Sequence, residues 1–178
     1  MGDLDLLVKD KYFERVLNQL LNNGFEINFR TNLKDSLLDQ ALADREAELT
    51  HRCENGISVF IELQTRSVSG RWLDKSREPD NCELFETRVN LEGFNHIVSL
   101  SPEWNLIQVC LHTAKHSYIR APGFRLHADV DRILKWDKID WQVFLKYVNQ
   151  LRVQTPVYMS LYLAKSLLDT KIPEIILK

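Results

Sequence analysis

The sequence has little of what marks several large classes of protein. Its three cysteines (Cys53, Cys82 and Cys110) are odd in number and far apart, so they predict reduced thiols rather than a disulfide framework. Only six glycines and five prolines occur in 178 residues, which excludes collagenous and low-complexity chains. No apolar run approaches the roughly 18 residues that cross a bilayer, and the N-terminus lacks a basic and apolar signal segment. We therefore expect a cytoplasmic protein with no membrane partner.

Neither sign of charge is in excess. The chain has 23 Lys and Arg residues against 25 Asp and Glu residues, which gives a formal net charge of −2. A protein that binds phosphate backbones without sequence preference is usually basic, so this composition disfavours nucleic acid as a partner. A hydrophobic content of 44% is ordinary for a globular chain, and the length suits one domain or one domain with a smaller partner packed on it.

The first hundred residues mix signals for helices and strands. An apolar stripe at helical spacing runs from Phe13 to Leu21, and Gly24 is placed to end that helix. Asn55-Gly56 is a strong hairpin signal between two strand-like runs. The secondary structure of residues 33–47 is ambiguous, because the segment could be a helix or an irregular connection between strands. Further strand-like stretches are predicted at 4–8, 25–29, 57–64, 84–91 and 94–99.

From Ser101 onwards the sequence favours helices only. Ser101-Pro102-Glu103 has the residue types of a helix start, and Asp140 and Thr155 are further predicted caps. Helices are predicted at about 102–118, 125–136, 141–151 and 156–169. The later aromatic residues fall at helical spacings and are interpreted as core: Trp136, Trp141, Phe144, Tyr147, Tyr158 and Tyr162. We expect an α+β fold, with a small mixed sheet in residues 1–100 and an all-helical half in residues 101–178.

Two acids interrupt the first apolar run. Asp3 and Asp5 are two residues apart on a predicted strand, so their side chains share a face, and Leu4 and Leu6 take the other. Mg²⁺ is bound by oxygen ligands, usually one or two carboxylates together with substrate phosphates. The alternative is that these acids are solvated near a chain end.

Glu62 is an acid within the otherwise apolar strand Val59-Phe60-Ile61-Glu62-Leu63. It lies on the face opposite the aliphatic row, and the alternative is an edge strand with one solvated face. An Asp-x-Asp pair on one strand and a third acid on a later central strand form the carboxylate pattern of a two-metal phosphoryl or nucleotidyl transfer site. Asp3, Asp5 and Glu62 are therefore the predicted catalytic and metal ligands.

The segment Gly2-Asp3-Leu4-Asp5-Leu6-Leu7-Val8 resembles the motif of polymerase-beta-like nucleotidyltransferases, and is closest to uncharacterised bacterial nucleotidyltransferase family proteins. The resemblance continues through Glu62, His112-x-x-Lys115-His116 and the Arg125-Leu126 and Asp129 positions. It implies transfer of a nucleoside monophosphate from a nucleoside triphosphate to an unknown hydroxyl acceptor. The implied cofactor is Mg²⁺ or Mn²⁺, in a cleft between the two halves.

The family pattern has two differences from this sequence. The acid strand of the family commonly continues as Leu-His-Trp, whereas Leu63-Gln64-Thr65 follows Glu62 here. The family also carries a Gly-Ser or Gly-Gly turn upstream of Asp-x-Asp, whereas only Met1 precedes Gly2 in this sequence. The expectation is an N-terminally incomplete nucleotidyltransferase-like domain, and whether it is active without that turn stays open. The alternatives are a non-catalytic module that binds a nucleotide or a partner, and a metal-dependent nuclease, since Glu62-x-Gln64 resembles an acid-x-Lys core.

A polar stripe on the helix after Ser101 is the predicted phosphate-binding surface. Five residues at three- and four-residue spacing form it: Asn105, Gln108, His112, Lys115 and His116. Cationic and amide side chains without a carboxylate suit an anion such as a triphosphate. The alternatives are an ordinary solvated face and a zinc pair, although no H-E-x-x-H glutamate lies between the histidines.

The next helix carries Arg125, Asp129 and Arg132 on one face. The simplest interpretation is a surface ion-pair cluster. The resemblance implies that Arg125 and Asp129 contribute to the substrate site.

Overall fold

A four-stranded sheet with helices on one face forms the N-terminal part of the protein. The computed structural model describes residues 4–28, 36–68, 73–94, 96–119 and 124–177. The chain divides into two compact units, Met1–Ser69 and Gly70–Lys178. The first unit contains β1 (Leu4–Leu7), α1 (Phe13–Asn22), β2 (Glu26–Ile27), α2 (Leu37–Asp44), β3 (Glu46–Arg52) and β4 (Ser58–Gln64).

The sheet of the first unit is mixed. Its strand order is β1-β4-β3-β2, in which β1 pairs with β4 in parallel and the other two pairs are antiparallel. The predicted hairpin between β3 and β4 is confirmed. The Cys53 N–H donates to the Ile57 carbonyl oxygen at 2.8 Å, and Gly56 adopts a φ of 78°, which a residue without a Cβ reaches at little cost.

The ambiguous segment 33–47 contains a helix and the start of a strand. The Ser36 hydroxyl caps α2 by accepting from the Asp39 N–H at 3.1 Å, and β3 follows directly after Arg45. Residues 29–35, which include the end of the predicted strand 25–29 and the start of this segment, lie outside the described residues.

Side-chain alternation gives the sheet one apolar face. Leu49, Ile61 and Leu63 point to this face and are buried against α1 and α2, as part of a core cluster. The other members of that buried cluster are Phe13, Leu17, Ala41 and Ala47. Apart from His51, the polar residues of β1, β3 and β4 therefore lie on the opposite face.

The second unit begins with a short helix and a two-stranded sheet. Its elements are α3 (Asn81–Glu86), β5 (Val89–Asn90), β6 (Val98–Ser99), α4 (Pro102–Ile119), α5 (Phe124–Trp136), α6 (Trp141–Leu151) and α7 (Gln154–Leu168). The prediction of a strand over 84–91 is wrong for its first part. Asp80 caps α3 by accepting from the Cys82 N–H at 2.9 Å, so the chain is helical before β5 begins.

The helical prediction after Ser101 is confirmed for all four long helices, and the fold is α+β as expected. Asp140 caps α6, since its carboxylate accepts from the Gln142 and Val143 N–H groups. The predicted cap at Thr155 is wrong, because α7 begins at Gln154 and the residue at its N-cap is Val153. Across the described part of the chain, no helix has the length and apolarity that a membrane crossing requires.

The core of the second unit lies around α4, which packs against α5, α6 and α7. The Ser160 hydroxyl on α7 donates to the Cys110 carbonyl oxygen on α4 at 2.7 Å, and the rings of Trp104 and Tyr147 stack with centroids 4.1 Å apart. The prediction of core aromatics is right for Phe144 and Tyr147, which are buried.

The same prediction is wrong for Trp136, Tyr158 and Tyr162. Trp136 ends α5 with 81% of its surface exposed, because it lies past the last packed turn of that helix. Tyr158 and Tyr162 are exposed on α7, where their rings stack on each other at a centroid distance of 5.8 Å.

The observed division between the units falls before the boundary near residue 100 that we expected. The 3₁₀ turn Lys75–Arg77, which precedes α3, contacts α6. Residues 70–100 therefore belong to the unit that contains the long helices.

Candidate functional site

The two described acids of the predicted triad are neighbours on the sheet. Asp5 on β1 is the register partner of Glu62 on β4, and the two strands are parallel. Paired residues of adjacent strands point to the same face, and the strands are about 4.8 Å apart. Asp5 and Glu62 therefore lie side by side. Asp3 lies outside the described residues.

The acid pair lies on the face of the sheet that does not pack against α1. Ile61 and Leu63, on either side of Glu62, are buried in the core, and alternation turns Glu62 the other way. Asp5 is exposed and Glu62 is half-buried. β4 lies between β1 and β3, so the alternative that Glu62 belongs to an edge strand is wrong.

A third acid, which sequence reasoning missed, continues this row. Glu48 on β3 is the antiparallel register partner of Glu62, so it lies on the same face. Locating Glu48 requires the observed register, in which Arg52 pairs with Ser58. A two-residue Asn55-Gly56 turn would instead place Leu49 opposite Glu62. We call Asp5, Glu62 and Glu48 the acidic row.

The acidic row does not amount to a complete metal site in the described structure. No group of three or more His, Cys, Asp or Glu side chains within the described ranges is arranged to hold a metal ion. Asp5 and Glu62 nevertheless fit the donor set of Mg²⁺, which takes hard oxygen ligands and is commonly bound through one or two carboxylates and the phosphates of a substrate.

The predicted phosphate-binding stripe lies on the more open side of α4. Leu111 and Ala114 are buried, whereas His112 is exposed and Lys115 and His116 are half-buried. The His112 and His116 rings meet edge to face with their centroids 4.5 Å apart. The zinc alternative has no third His, Cys, Asp or Glu ligand within the described part of the chain.

The polar face of α5 contains the ion pair that its spacing predicts. An Arg132 guanidinium nitrogen lies 3.3 Å from an Asp129 carboxylate oxygen, and Arg125 is exposed one turn earlier. Exposed pairs of this kind contribute little stability. The contribution of Arg125 and Asp129 to a substrate site remains a prediction.

Two buried polar residues of α5 were not singled out from the sequence. Asp131 accepts hydrogen bonds from the Lys135 ammonium at 2.7 Å and from the Thr170 hydroxyl at 2.8 Å, and these, the first above all, lower the pKa of its carboxyl. His127 is buried, and burial lowers the pKa of its imidazole. Its Nδ1 atom has no hydrogen-bond partner among the described residues.

A cavity of about 540 Å³ lies at the C-terminal end of the second unit. It is lined by the chain around 134–141 and 165–174, with both Lys165 and Lys171 and the carboxylates of Asp137, Asp169 and Glu174. None of the predicted site residues lines this cavity. Its mixed charge does not favour an anion, and we assign it no role.

A comparison with protein families identifies the chain. The family model described as uncharacterised nucleotidyltransferase matches residues 1–169. The chain therefore belongs to this family, and its function is nucleotidyltransferase-like. No curated protein and no solved structure matches the chain.

Proposed function

From this family membership we propose that the protein transfers a nucleoside monophosphate from a nucleoside triphosphate to a hydroxyl acceptor. The observation that carries the proposal is the register pairing of Asp5 with Glu62 on the face of the sheet that does not pack against α1. In the reaction, the acceptor oxygen forms a bond to the α-phosphorus and the bond from that phosphorus to the bridging oxygen breaks. The acceptor hydroxyl loses its proton, and pyrophosphate leaves.

Asp5 and Glu62 would hold Mg²⁺ or Mn²⁺, with Asp3 as a further ligand. Two carboxylates at facing register positions offer a divalent ion hard oxygen ligands from both strands. When bound, a pair of divalent ions stabilises the attacking and leaving oxygens of an in-line displacement. The chain's own contribution is to fix the two carboxylates on adjacent strands of a packed sheet, so that little reorganisation is needed when the substrate arrives.

The two carboxylates differ in their surroundings, which suggests a division of roles. Glu62 lies on a central strand and is half-buried, whereas Asp5 is exposed on β1. We assign to Glu62 the ligand position that the sheet holds most rigidly. Asp5 would hold the ion from the exposed side, where the ion could also bind phosphate oxygens of the substrate.

The polar stripe of α4 supplies the proposed phosphate contacts. Lys115 provides a point charge with three donors, and His112 and His116 provide ring N–H groups. Arg125 and Asp129 remain proposed contributors to substrate binding on the basis of the family pattern. The proposed partners are the triphosphate and the hydroxyl acceptor, in a cytoplasmic reaction.

Calorimetry with a non-hydrolysable triphosphate analogue and Mg²⁺ tests this proposal. Asp5→Asn and Glu62→Gln keep the size of each side chain and remove one charge of the pair. A charged contact contributes about 1.5–3 kcal/mol, so each variant should bind the Mg²⁺-analogue complex roughly ten- to a hundredfold more weakly than the wild type. Glu54→Gln, which changes an exposed acid in the hairpin turn, is the matched control and should bind like the wild type.

Equal affinity for the Mg²⁺-analogue complex in the wild type and both site variants would show that Asp5 and Glu62 do not bind the metal–nucleotide complex. A second measurement separates transfer from binding alone. Pyrophosphate release from a triphosphate, in the presence of candidate hydroxyl acceptors, should be detectable for the wild type and lost in Glu62→Gln. Tight Mg²⁺-dependent binding by a chain that releases no pyrophosphate would support the non-catalytic alternative instead.

A further inference from the structure

Exposed apolar side chains are concentrated on the β5–β6 hairpin. Val89, Leu91 and Ile97 are 41%, 43% and 49% exposed, and Phe94 in the connecting turn is 55% exposed. The register pairs Val89 with Ser99 and Asn90 with Val98, and the Leu91 N–H donates to the Ile97 carbonyl oxygen at 2.9 Å. Val89, Leu91 and Ile97 therefore share one face of the hairpin.

The outer edge of β5 has strand geometry that suits another strand. Leu91 bonds to β6 through its own backbone, so in an antiparallel ladder the backbone N–H and C=O groups of Asn90 point away from β6. The sheet contains only β5 and β6 among the described residues. An exposed strand edge next to exposed apolar side chains is a template for pairing with a further strand.

The sequence around this edge is complementary to itself. The segment reads Arg88-Val89-Asn90-Leu91-Glu92. If two copies pair antiparallel about Asn90, Val89 lies opposite Leu91 of the second copy. Arg88 lies opposite Glu92 of the second copy, which is the first residue of the turn after Leu91. Opposite charges and apolar pairs at facing positions both stabilise a sheet. The same register makes Asn90 exchange both backbone hydrogen bonds with Asn90 of the second copy, which matches the direction of its N–H and C=O groups.

We infer that β5 pairs with β5 of a second copy of this chain, which joins two hairpins into a four-stranded antiparallel sheet about a two-fold axis. A symmetric contact of this kind uses one surface patch twice, so both ion pairs and both apolar pairs form together. The paired segment is short, which places the contact at the small, transient end of protein interfaces. Dimerisation should therefore depend on concentration.

Sedimentation velocity on the full chain, at protein concentrations up to about 1 mM, tests the inference. The wild type should shift from monomer to dimer as its concentration rises. Glu92→Arg places an arginine opposite Arg88 of the other copy at both symmetric positions. Arg88→Glu places a carboxylate opposite Glu92 of the other copy at both positions. Each reversal should raise the dimer dissociation constant about tenfold or more, because two attractive pairs become repulsive. The double variant Arg88→Glu with Glu92→Arg should restore it to near the wild-type value.

A proline variant gives a second test that does not depend on charge. Asn90→Pro removes the outward N–H group and leaves the hydrogen bond between Leu91 and Ile97 in place, because proline is tolerated at a strand edge that faces outwards. Circular dichroism checks that each variant is folded. Loss of the dimer in a folded Asn90→Pro variant supports the pairing. A wild type that stays monomeric throughout, or a dimer that neither the reversals nor the proline weakens, would overturn it.

Discussion

Asp131 is a charged residue of α5 that is buried in the interior. It is two residues from Asp129 on the same helix, and yet the two carboxylates have different surroundings. Asp129 forms an exposed pair with Arg132, whereas the carboxylate of Asp131 is buried and accepts from Thr170, beyond the end of α7, and from Lys135. The partner at residue 170 is far along the chain, so no local pattern indicates it.

Removing the charge of Asp131 should destabilise the fold in a pH-dependent way. The folded state lowers the pKa of this carboxyl below its ordinary value of 3.8, mainly through the hydrogen bond from Lys135. The stabilisation is therefore fully present above about pH 4 and is lost as the pH falls through the lowered pKa. We expect Asp131→Asn to lose about 1–3 kcal/mol of unfolding free energy near pH 7. Urea unfolding should show the gap to the wild type closing towards pH 3.

Asp129→Asn is the control on the same helix, and it should change the unfolding free energy by less than about 1 kcal/mol because its pair is exposed. A gap for Asp131→Asn that is the same at pH 7 and near pH 3 would show that the charge is not what stabilises this contact.

Lys115 distinguishes a phosphate-binding stripe from an ordinary solvated helix face. Lys115→Met keeps most of the side-chain stem and removes the charge. We expect triphosphate affinity, measured by calorimetry, to fall roughly ten- to a hundredfold. The unfolding free energy should change by less than about 1 kcal/mol. Lys138→Met, an exposed lysine between α5 and α6, is the control. If both variants bind the triphosphate like the wild type, the stripe is a solvated face.

At the scale of elements, the β3–β4 hairpin fixes which acids face each other. Its turn depends on Gly56, whose φ is 78° and near which an added Cβ would meet no atom within 4 Å. The cost of a side chain there is therefore conformational alone. Gly56→Ala should lower the unfolding free energy by about 1–2 kcal/mol, the usual penalty for an L-residue in the left-handed region.

The comparison for this prediction is Gly24, which also has a positive φ but where an added Cβ would lie 3.2 Å from the His51 ring. Gly24→Ala should therefore cost more than Gly56→Ala in the same urea titration, since backbone strain and a close contact add. The opposite order would contradict the local account of these two turns.

The elements that were predicted well are those with strong local signals. The Asn55-Gly56 turn, the apolar stripe of α1 and the Ser101-Pro102 helix start each determine their structure over a few residues. The helix α3 was missed because Leu84 and Phe85 suggested a strand, while the signal that decides the matter is the single capping acid Asp80. The helix α7 begins at Gln154, one residue before the predicted cap. Its N-cap residue, Val153, makes no side-chain hydrogen bond that a sequence pattern could indicate.

The same distinction applies to the candidate site. Alternation along β4 placed Glu62 opposite its aliphatic neighbours, and the sheet has this arrangement. The pairing of β1 with β4 is a contact between distant segments, which no spacing in the sequence specifies. Glu48 could be placed only from the observed register of the hairpin, and the burial of Asp131 and His127 required the packed helices.

At the scale of the whole molecule, the change from mixed signals to helices near residue 100 did not mark the division into units. The pattern of residues along the chain reflects local preferences for helix or strand, whereas the division into two units depends on which segments pack together. The turn Lys75–Arg77 contacts α6, so α3 and the β5–β6 hairpin belong with the long helices of Gly70–Lys178. The acidic row lies wholly in Met1–Ser69, and the predicted phosphate-binding stripe in the other unit.

The central claim is that Asp5 and Glu62 together bind a divalent ion, and a Mn²⁺ titration followed by electron paramagnetic resonance tests it most directly. The signal of free Mn²⁺ gives the bound fraction for the folded wild type, Asp5→Asn, Glu62→Gln and the Glu54→Gln control. We predict that each site variant raises the Mn²⁺ dissociation constant about tenfold or more, as expected for loss of one charged ligand, and that the control leaves it unchanged. Equal Mn²⁺ affinity in all four folded proteins would contradict the claim.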